Sequence, residues 1–437
     1  MSRSPNPFAK RDFRLLWIGE AVSGLGDQFV FIALPWLALV LTGSGLALGG
    51  VLALMAIPRA LLMVIGGVSV DRLSPRRVML GSNAVRLIAV TVMGLVVLGG
   101  ATQLWMLYAF ALVFGVADAF FFPAQQSIVP ELVETDQLQR ANGIVQGTAQ
   151  ATVLVGPALA GIVIAVLGSE AADTTGIAIA LLLDAITFVI SMVTLRLIRP
   201  RERATHAQPS IAESIREGVR FIWGKASMRA VIAISLGANL FIVGPFEVGL
   251  PYFAYTRLPE GAAAFGVLLA AFGGGSLVGL AAGAVLPAPP PARLCTVVIL
   301  AVSLAGLGLA GLAPVHSTAL AAVMTAGSGI ALGYGNLLGL TWIQTRIPSA
   351  LMGRVMSLMM MGSMGLVPVS MLIAGATVQI SLDATLVGAG VGMGFLSLAA
   401  LLSPAVRNLG LEPMHGVAPG EDREAERQAA SAAQAGV

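Results

Sequence analysis

The chain has 437 residues, of which 57% are hydrophobic and 11% charged, with a mean hydropathy of +0.89. Soluble domains carry about 25% charged residues, so no buried core can absorb this apolar surface and the excess must face lipid. The net charge of +3 and pI near 9.4 do not indicate nucleic acid, because the basic residues gather in alternate loops and form no stripe.

Read in chain order, a basic N-terminal segment, 1–14, with Lys10, Arg11 and Arg14, runs into the first apolar block. That block carries Glu20 and Asp27 and lacks a small-residue cleavage site, so it reads as a retained first span and not as a signal peptide. A helical span needs about 20 mostly apolar residues. Twelve blocks qualify: 15–41, 45–70, 78–99, 104–122, 141–167, 175–197, 229–253, 264–286, 294–313, 317–340, 355–378 and 384–403. This predicts an all-α membrane protein of two six-helix bundles, 15–197 and 229–403. They are joined by a linker at 198–228 and followed by an Ala-, Glu- and Arg-rich tail, 404–437, expected to be disordered.

Within the linker, Ile211, Ile215, Val219 and Ile222 share one helical face, and Ser210 and Glu213 suit a capping box. An amphipathic helix on the inner leaflet is expected there. Loop charge sets the orientation. With the N-terminus inside, the inner loops hold Arg72, Arg76, Arg77, Arg140, the run from Arg196 to Arg229, Arg293, Arg346 and Arg354, whereas the outer loops hold only Arg257. This asymmetry predicts a multi-pass plasma-membrane protein with both termini cytoplasmic.

The single cysteine, Cys295, and the scattered His206, His316 and His415 offer no disulfide framework and no metal-ligand spacing. No nucleophile–base–acid constellation converges in the spans, so neither an enzyme nor a cofactor is expected. GLGLAG at 306–311 lies inside an apolar block with no strand before it. GVRFIWGKA at 218–226 has the wrong spacing and ending for a phosphate-binding loop.

The halves repeat weakly. Gln126-Ser-Ile-Val-Pro130 recurs as Gln344-Thr-Arg-Ile-Pro348, and Gly49, Ala53, Gly66 and Arg76 align with Gly266, Ala270, Gly283 and Arg293. Such duplication suggests two similar bundles facing each other across a central cavity.

The segment Gly67 to Arg77, G-x-x-x-D-R-x-x-x-R-R, resembles the signature loop between spans 2 and 3 of the major facilitator superfamily. FRLLWIGEAVSGLGDQF near the N-terminus, TGS-x-LALG at 42–49, FFFPAQQSIVPELV…LQRANG at 120–143 and EGVRFIW at 217–223 resemble its drug-exporter branch, the macrolide and enterobactin-type efflux proteins. The resemblance implies a secondary transporter that exports an amphiphilic small molecule by alternating access and proton antiport, as a monomer in the bilayer. Three departures stand out. Ser74 and Pro75 replace the usual Gly and basic residue, the second-half loop LPAPPPAR has lost its acidic residue, and span 4 lacks the arginine motif of many proton-coupled antiporters. Gly147…Gly156-Pro157-x-x-Ala160-Gly161 partly matches the family's Gly-Pro element and predicts close packing of span 5 on span 8.

Charges within a membrane are costly, so each is a functional hypothesis. Glu20 and Asp27, seven residues apart, share one face of span 1 and are the leading proton-coupling candidates, with Arg59 as the expected partner of Asp27 and Asp184 next to examine. Structural ion pairing is the alternative. Arg86 and Asp118 are expected to pair. Together with Asp71, Arg72, Arg76, Arg77 and Arg354 they form the gating set. Glu247 is placed near the outer end, within reach of water. Asn142, Gln146 and Gln150, at i, i+4 and i+8, make a polar stripe on span 5 and with Asn239 and Asn336 are the cavity candidates; interhelical hydrogen bonding is the commoner explanation. An importer or uniporter of the same fold, or a non-transporting receptor, remains as the alternative function.

Overall fold

Twelve helices long and apolar enough to cross a bilayer are found among the described residues. The computed structural model describes residues 6–168, 173–199, 226–287, 289–346 and 349–403, with Arg220 and Trp223 between them. The first six spans are α1 (Arg11–Thr42), α2 (Gly45–Leu73), α3 (Pro75–Leu98), α4 (Leu104–Leu132), α5 (Leu138–Leu167) and α6 (Thr175–Leu197). The seventh, α7, is composite: Ala226–Ala238, two π-helical turns at Asn239–Val243 and Pro245–Gly249, then Leu250–Arg257. The rest are α8 (Ala262–Val285), α9 (Pro291–Gly311), α10 (Thr318–Arg346), α11 (Ser349–Ile380) and α12 (Leu382–Leu402). The amphipathic linker helix and the tail expected at 404–437 lie outside the described residues, apart from Arg220 and Trp223, which are helical and exposed.

All twelve expected spans are present, several of them longer than the apolar blocks. The Gln126–Pro130 segment lies within α4, with Ile128 and Val129 buried and Gln126 and Pro130 exposed. Local chemistry sets the turns. Gly43 ends α1 in the left-handed region at φ 59, and the Ser44 side chain caps α2 by accepting from the Ala47 amide at 3.3 Å. Between α2 and α3, Ser74 holds a φ of 79, a conformation that favours glycine, and Pro75 then starts α3. The departure of Ser74 from the family loop therefore falls at a position where glycine would be relaxed. Arg76 donates to the carbonyls of Leu195 and Arg196, both at 2.7 Å, which places a cation on the C-terminus of α6.

Packing follows the sequence repeat. In the first bundle α2 lies on α4, α3 on α6 and α4, and α1 on α5 and α6; in the second, α8 lies on α10, α9 on α12 and α10, and α7 on α11 and α12. Two equivalent crossings join the bundles, α2 on α11 and α5 on α8. Each is a glycine pair. A Cβ on Gly49 would stand 2.9 Å from the Gly375 Cα, and one on Gly161 would stand 3.0 Å from the Gly266 Cα. The predicted alignment of Gly49 with Gly266, and the close packing of the Gly-Pro element on α8, are both seen here. The glycine run of α8 packs on α10, with Gly275 against Ala326 and Gly279 against Ile330. The GLGLAG run is helix packing inside α9.

The apolar core shared by the bundles lies toward the α1–α2 turn, built from Trp36, Leu48, Phe253, Phe265, Met371 and Val378 among others. A second cluster, Phe13, Leu16, Met79, Phe121, Ile128 and Leu195, lies toward the α2–α3 turn and comes from the first bundle alone.

Candidate functional site

Five helices of the first bundle bring six charged side chains into one buried group. Asp118 of α4, 5% exposed, is its hub: one carboxylate oxygen accepts from Arg86 of α3 and the other from Arg59 of α2. Arg86 is 3% exposed and lies in an aromatic box, its guanidinium carbon 4.1 Å from the centre of Phe121, 5.4 Å from Phe114 and 5.8 Å from Phe188. Ion pairing and ring faces together make a charge tolerable at this depth. Arg59, next to the helix proline Pro58, keeps 30% of its side chain exposed.

The remaining carboxyls are less well matched. Glu20 accepts from Gln125 of α4 through one oxygen; the other is buried with no hydrogen-bond partner. Asp27 has one buried oxygen without a partner. Asp184 of α6, fully buried, accepts from the Thr187 hydroxyl at 3.0 Å and leaves its second oxygen unpartnered. It sits against Gly26, where a Cβ would overlap its carboxylate, so α1 packs on Asp184 at the residue before Asp27. Asp27 is within electrostatic range of Arg86, Asp118, Arg59 and Asp184. Four carboxyls thus share two guanidiniums, and both guanidiniums are bound to Asp118. A buried carboxylate without a partner is expensive, so this arrangement suits groups that exchange protons or counter a passing cation.

The Arg86–Asp118 pair is where the sequence places it. The expected Arg59–Asp27 pair is not formed: Arg59 binds Asp118, because α2 packs along α4 and only lightly on α1. The side chains of Asp71 and Arg354 lie outside the described part of the structure; Arg72 and Arg77 are exposed, and Arg76 is engaged with α6. Asn142 and Gln146 are exposed and Gln150 is half-buried on α5, and Asn336 is exposed on α10. Asn239 donates to the Ser235 carbonyl of its own helix at 2.8 Å. A groove of about 360 Å³ runs between α7, α11 and α12, lined by Leu240, Phe241, Ser370, Ile373, Thr377 and Thr385. None of the polar cavity candidates borders it, and its lining is mostly apolar. Gln125, Thr187 and the Phe121 ring had no signal of their own in the sequence.

Twelve spans in two six-helix halves, joined by equivalent glycine crossings, define a multi-pass membrane protein. The sequence pattern of the Major Facilitator Superfamily matches residues 16–371, and the chain belongs to that family. The chain is similar to the multidrug efflux pump Tap of Mycobacterium tuberculosis, with 28% identity over 415 residues, covering 91% of this chain and 95% of that protein. It is also similar to macrolide efflux protein A of Streptococcus pyogenes, with 24% identity over 283 residues, covering 62% and 67%. Among solved structures, the nucleoside transporter NupG superposes with a TM-score of 0.67 at 16% identity, covering 89% of this chain and 98% of that one. A bacterial homologue of the iron transporter ferroportin in its inward-facing state gives 0.65 at 18%, covering 89% and 98%.

Proposed function

We propose that this transporter exports an amphiphilic small molecule, of the drug, macrolide or siderophore-like kind, in exchange for protons, by rocking its two bundles about a central site. Both termini and the 198–228 linker face the cytoplasm, in keeping with the loop arginines. Export rests on the likeness to efflux proteins. Proton exchange rests on one observation, the unpartnered buried oxygen of Asp27, next to the glycine that packs on Asp184, with Arg59 held away on Asp118. In this reading Asp27 carries the proton and Glu20, tied to Gln125, assists. Proteoliposomes with an imposed pH gradient test it. Asp27→Asn is expected to abolish gradient-driven transport while substrate binding persists, and Glu20→Gln to have the milder effect. Uphill movement undiminished in Asp27→Asn moves the proton site to Asp184. Vesicle orientation gives the direction of transport in the same assay, and uptake toward the cytoplasmic face would replace export by import.

A further inference from the structure

Halfway along α7 the helix is irregular, with one π turn on each side of Gly244. In a regular α-helix the Gly244 amide would donate to the Leu240 carbonyl. Instead the Ser370 hydroxyl of α11 stands between them: it accepts from Gly244 N at 2.8 Å and donates to Leu240 O at 2.7 Å. Both backbone groups stay satisfied while the helix is held open by an inserted side chain. Leu240, Phe241, Pro245 and Ser370, the residues of this break, form one wall of the groove between α7, α11 and α12.

Small residues on α12 make the space. Ala384, Gly388 and Ala389 line it, and a Cβ on Gly388 would meet no atom within 4 Å. Among the described residues no charged side chain lines the groove, and its hydroxyls are engaged with backbone. Besides Ser370, Thr377 donates to the Ile373 carbonyl and Thr385 to the Ser381 carbonyl, both at 2.9 Å, and Ser381 accepts from the Ala384 amide at 3.2 Å. A polar group entering here would give up water and find no free partner, and water itself has little to hold it. Left empty, about 360 Å³ of groove would forfeit the dispersion contacts of its walls. A hydrocarbon guest meets both conditions.

The groove is continuous with the surface that the spans offer to lipid. Ile373 and Ile380, 51% and 86% exposed, belong to the exposed apolar stripe of α11 with Val369 and Leu372. Ala384 and Gly388 lie on the exposed stripe of α12 that runs on through Val391 and Phe395. Met371, Gly375 and Val378, on another side of α11, face α2. The length also fits. Ser370 to Ile380 is ten residues of helix, about 15 Å, which is half of the roughly 30 Å hydrocarbon core. That half is the leaflet at the α1–α2 face, because Gln379, at this end of α11, accepts from the Gly45 amide.

We propose that the groove binds one acyl chain of a membrane phospholipid from that leaflet, which fills the space between α7, α11 and α12 and packs against the break in α7. The chain is the part recognised. Asp383, between the lining residues Ser381 and Ala384, is already paired with Arg257 at 2.5 Å, so charge at this end does not select the headgroup.

The test places the full-length protein in liposomes of palmitoyl-oleoyl phosphatidylcholine that carry a small fraction of phosphatidylcholine with a diazirine on one acyl chain. After irradiation, adducts mapped by mass spectrometry are expected to be denser on 370–389 than on the exposed stripe of α3 at Ile88, Val92 and Leu95, which reports ordinary lipid contact. Gly388→Leu puts a side chain into the open space and should abolish that excess. Gly394→Leu, at an equally open position of α12 outside the groove, should leave it unchanged. Adducts on the groove no denser than on α3, or an excess that survives Gly388→Leu, would overturn the site. Displacement of the label by erythromycin, added as an amphiphilic competitor, would overturn the lipid assignment and make the groove a site for the exported molecule.

Discussion

Asp118 is the residue on which the first bundle's positive charges converge, and its removal is expected to be severe. Asp118→Ala leaves Arg86 in its aromatic box without its ion-pair partner, at a cost of about 3–5 kcal/mol. Arg86→Ala leaves Asp118 with Arg59 alone and should be milder. The double mutant Arg86→Ala/Asp118→Ala should recover part of the loss, because the buried Arg86 charge is then gone, and Arg59, which also loses Asp118, keeps 30% of its side chain exposed. Thermal unfolding of the four proteins in detergent measures this, and a double mutant as unstable as the sum of the singles would show that the pair is not coupled. Span depth alone predicts this pair, because α3 and α4 are antiparallel neighbours in sequence. Depth fails for Arg59. It gives the height of a side chain along the bilayer normal and not the helix it faces, and α2 faces α4. Depth alone puts Glu247 at the outer end, whereas the structure holds it half-buried on a turn that packs against α2, α11 and α12.

At the level of helices, hydropathy and the repeat make the architecture legible. The twelve blocks become twelve spans, and the alignment of Gly49 with Gly266 marks both inter-bundle crossings. The irregularity of α7 is only half legible: Gly244-Pro245 marks where the ladder breaks, whereas the Ser370 hydroxyl that fills the break comes from 126 residues away. The glycine crossings predict a specific kind of damage. A side chain at Gly49 would meet the Met371 carbonyl at 2.6 Å and the Gly375 Cα at 2.9 Å. Gly49→Leu should therefore oppose closure of the α1–α2 face and leave each bundle intact, since the clash lies between bundles. A bias of about 1.4 kcal/mol shifts the two-state ratio tenfold. The expected result is normal yield and unfolding temperature with transport lowered on the order of tenfold. Loss of folded protein instead would mean that the crossing is part of a rigid core.

For the whole molecule the question is which contacts differ between states. At the α2–α3 face, Asp71 lies in the last turn of α2, and the N-terminus of α11 near Arg354 offers a positive helix end. A latch between them would hold that face shut when the α1–α2 face opens, and Asp71→Asn should then lower transport with little effect on yield. Normal turnover in that variant would remove the latch. At the α1–α2 face the closed contact is visible: the Gly45 amide donates to the Gln379 side chain at 2.8 Å, and a Cβ on Gly45 would run into Val378. The shared core of Trp36, Leu48, Phe265 and Val378 lies directly beneath it. If the bundles rock, this face must open in every cycle, and apolar surface that is buried now must be exposed and buried again. Cysteines at positions 45 and 378 on the Cys295→Ala background would place two thiols in direct contact across that seam. Oxidation should stop transport, and reduction should restore it to the level of the uncrosslinked pair. A fully crosslinked protein that still transports at the parent rate would show that the α1–α2 face does not open, and the substrate would then need a path that bypasses the seam between the bundles.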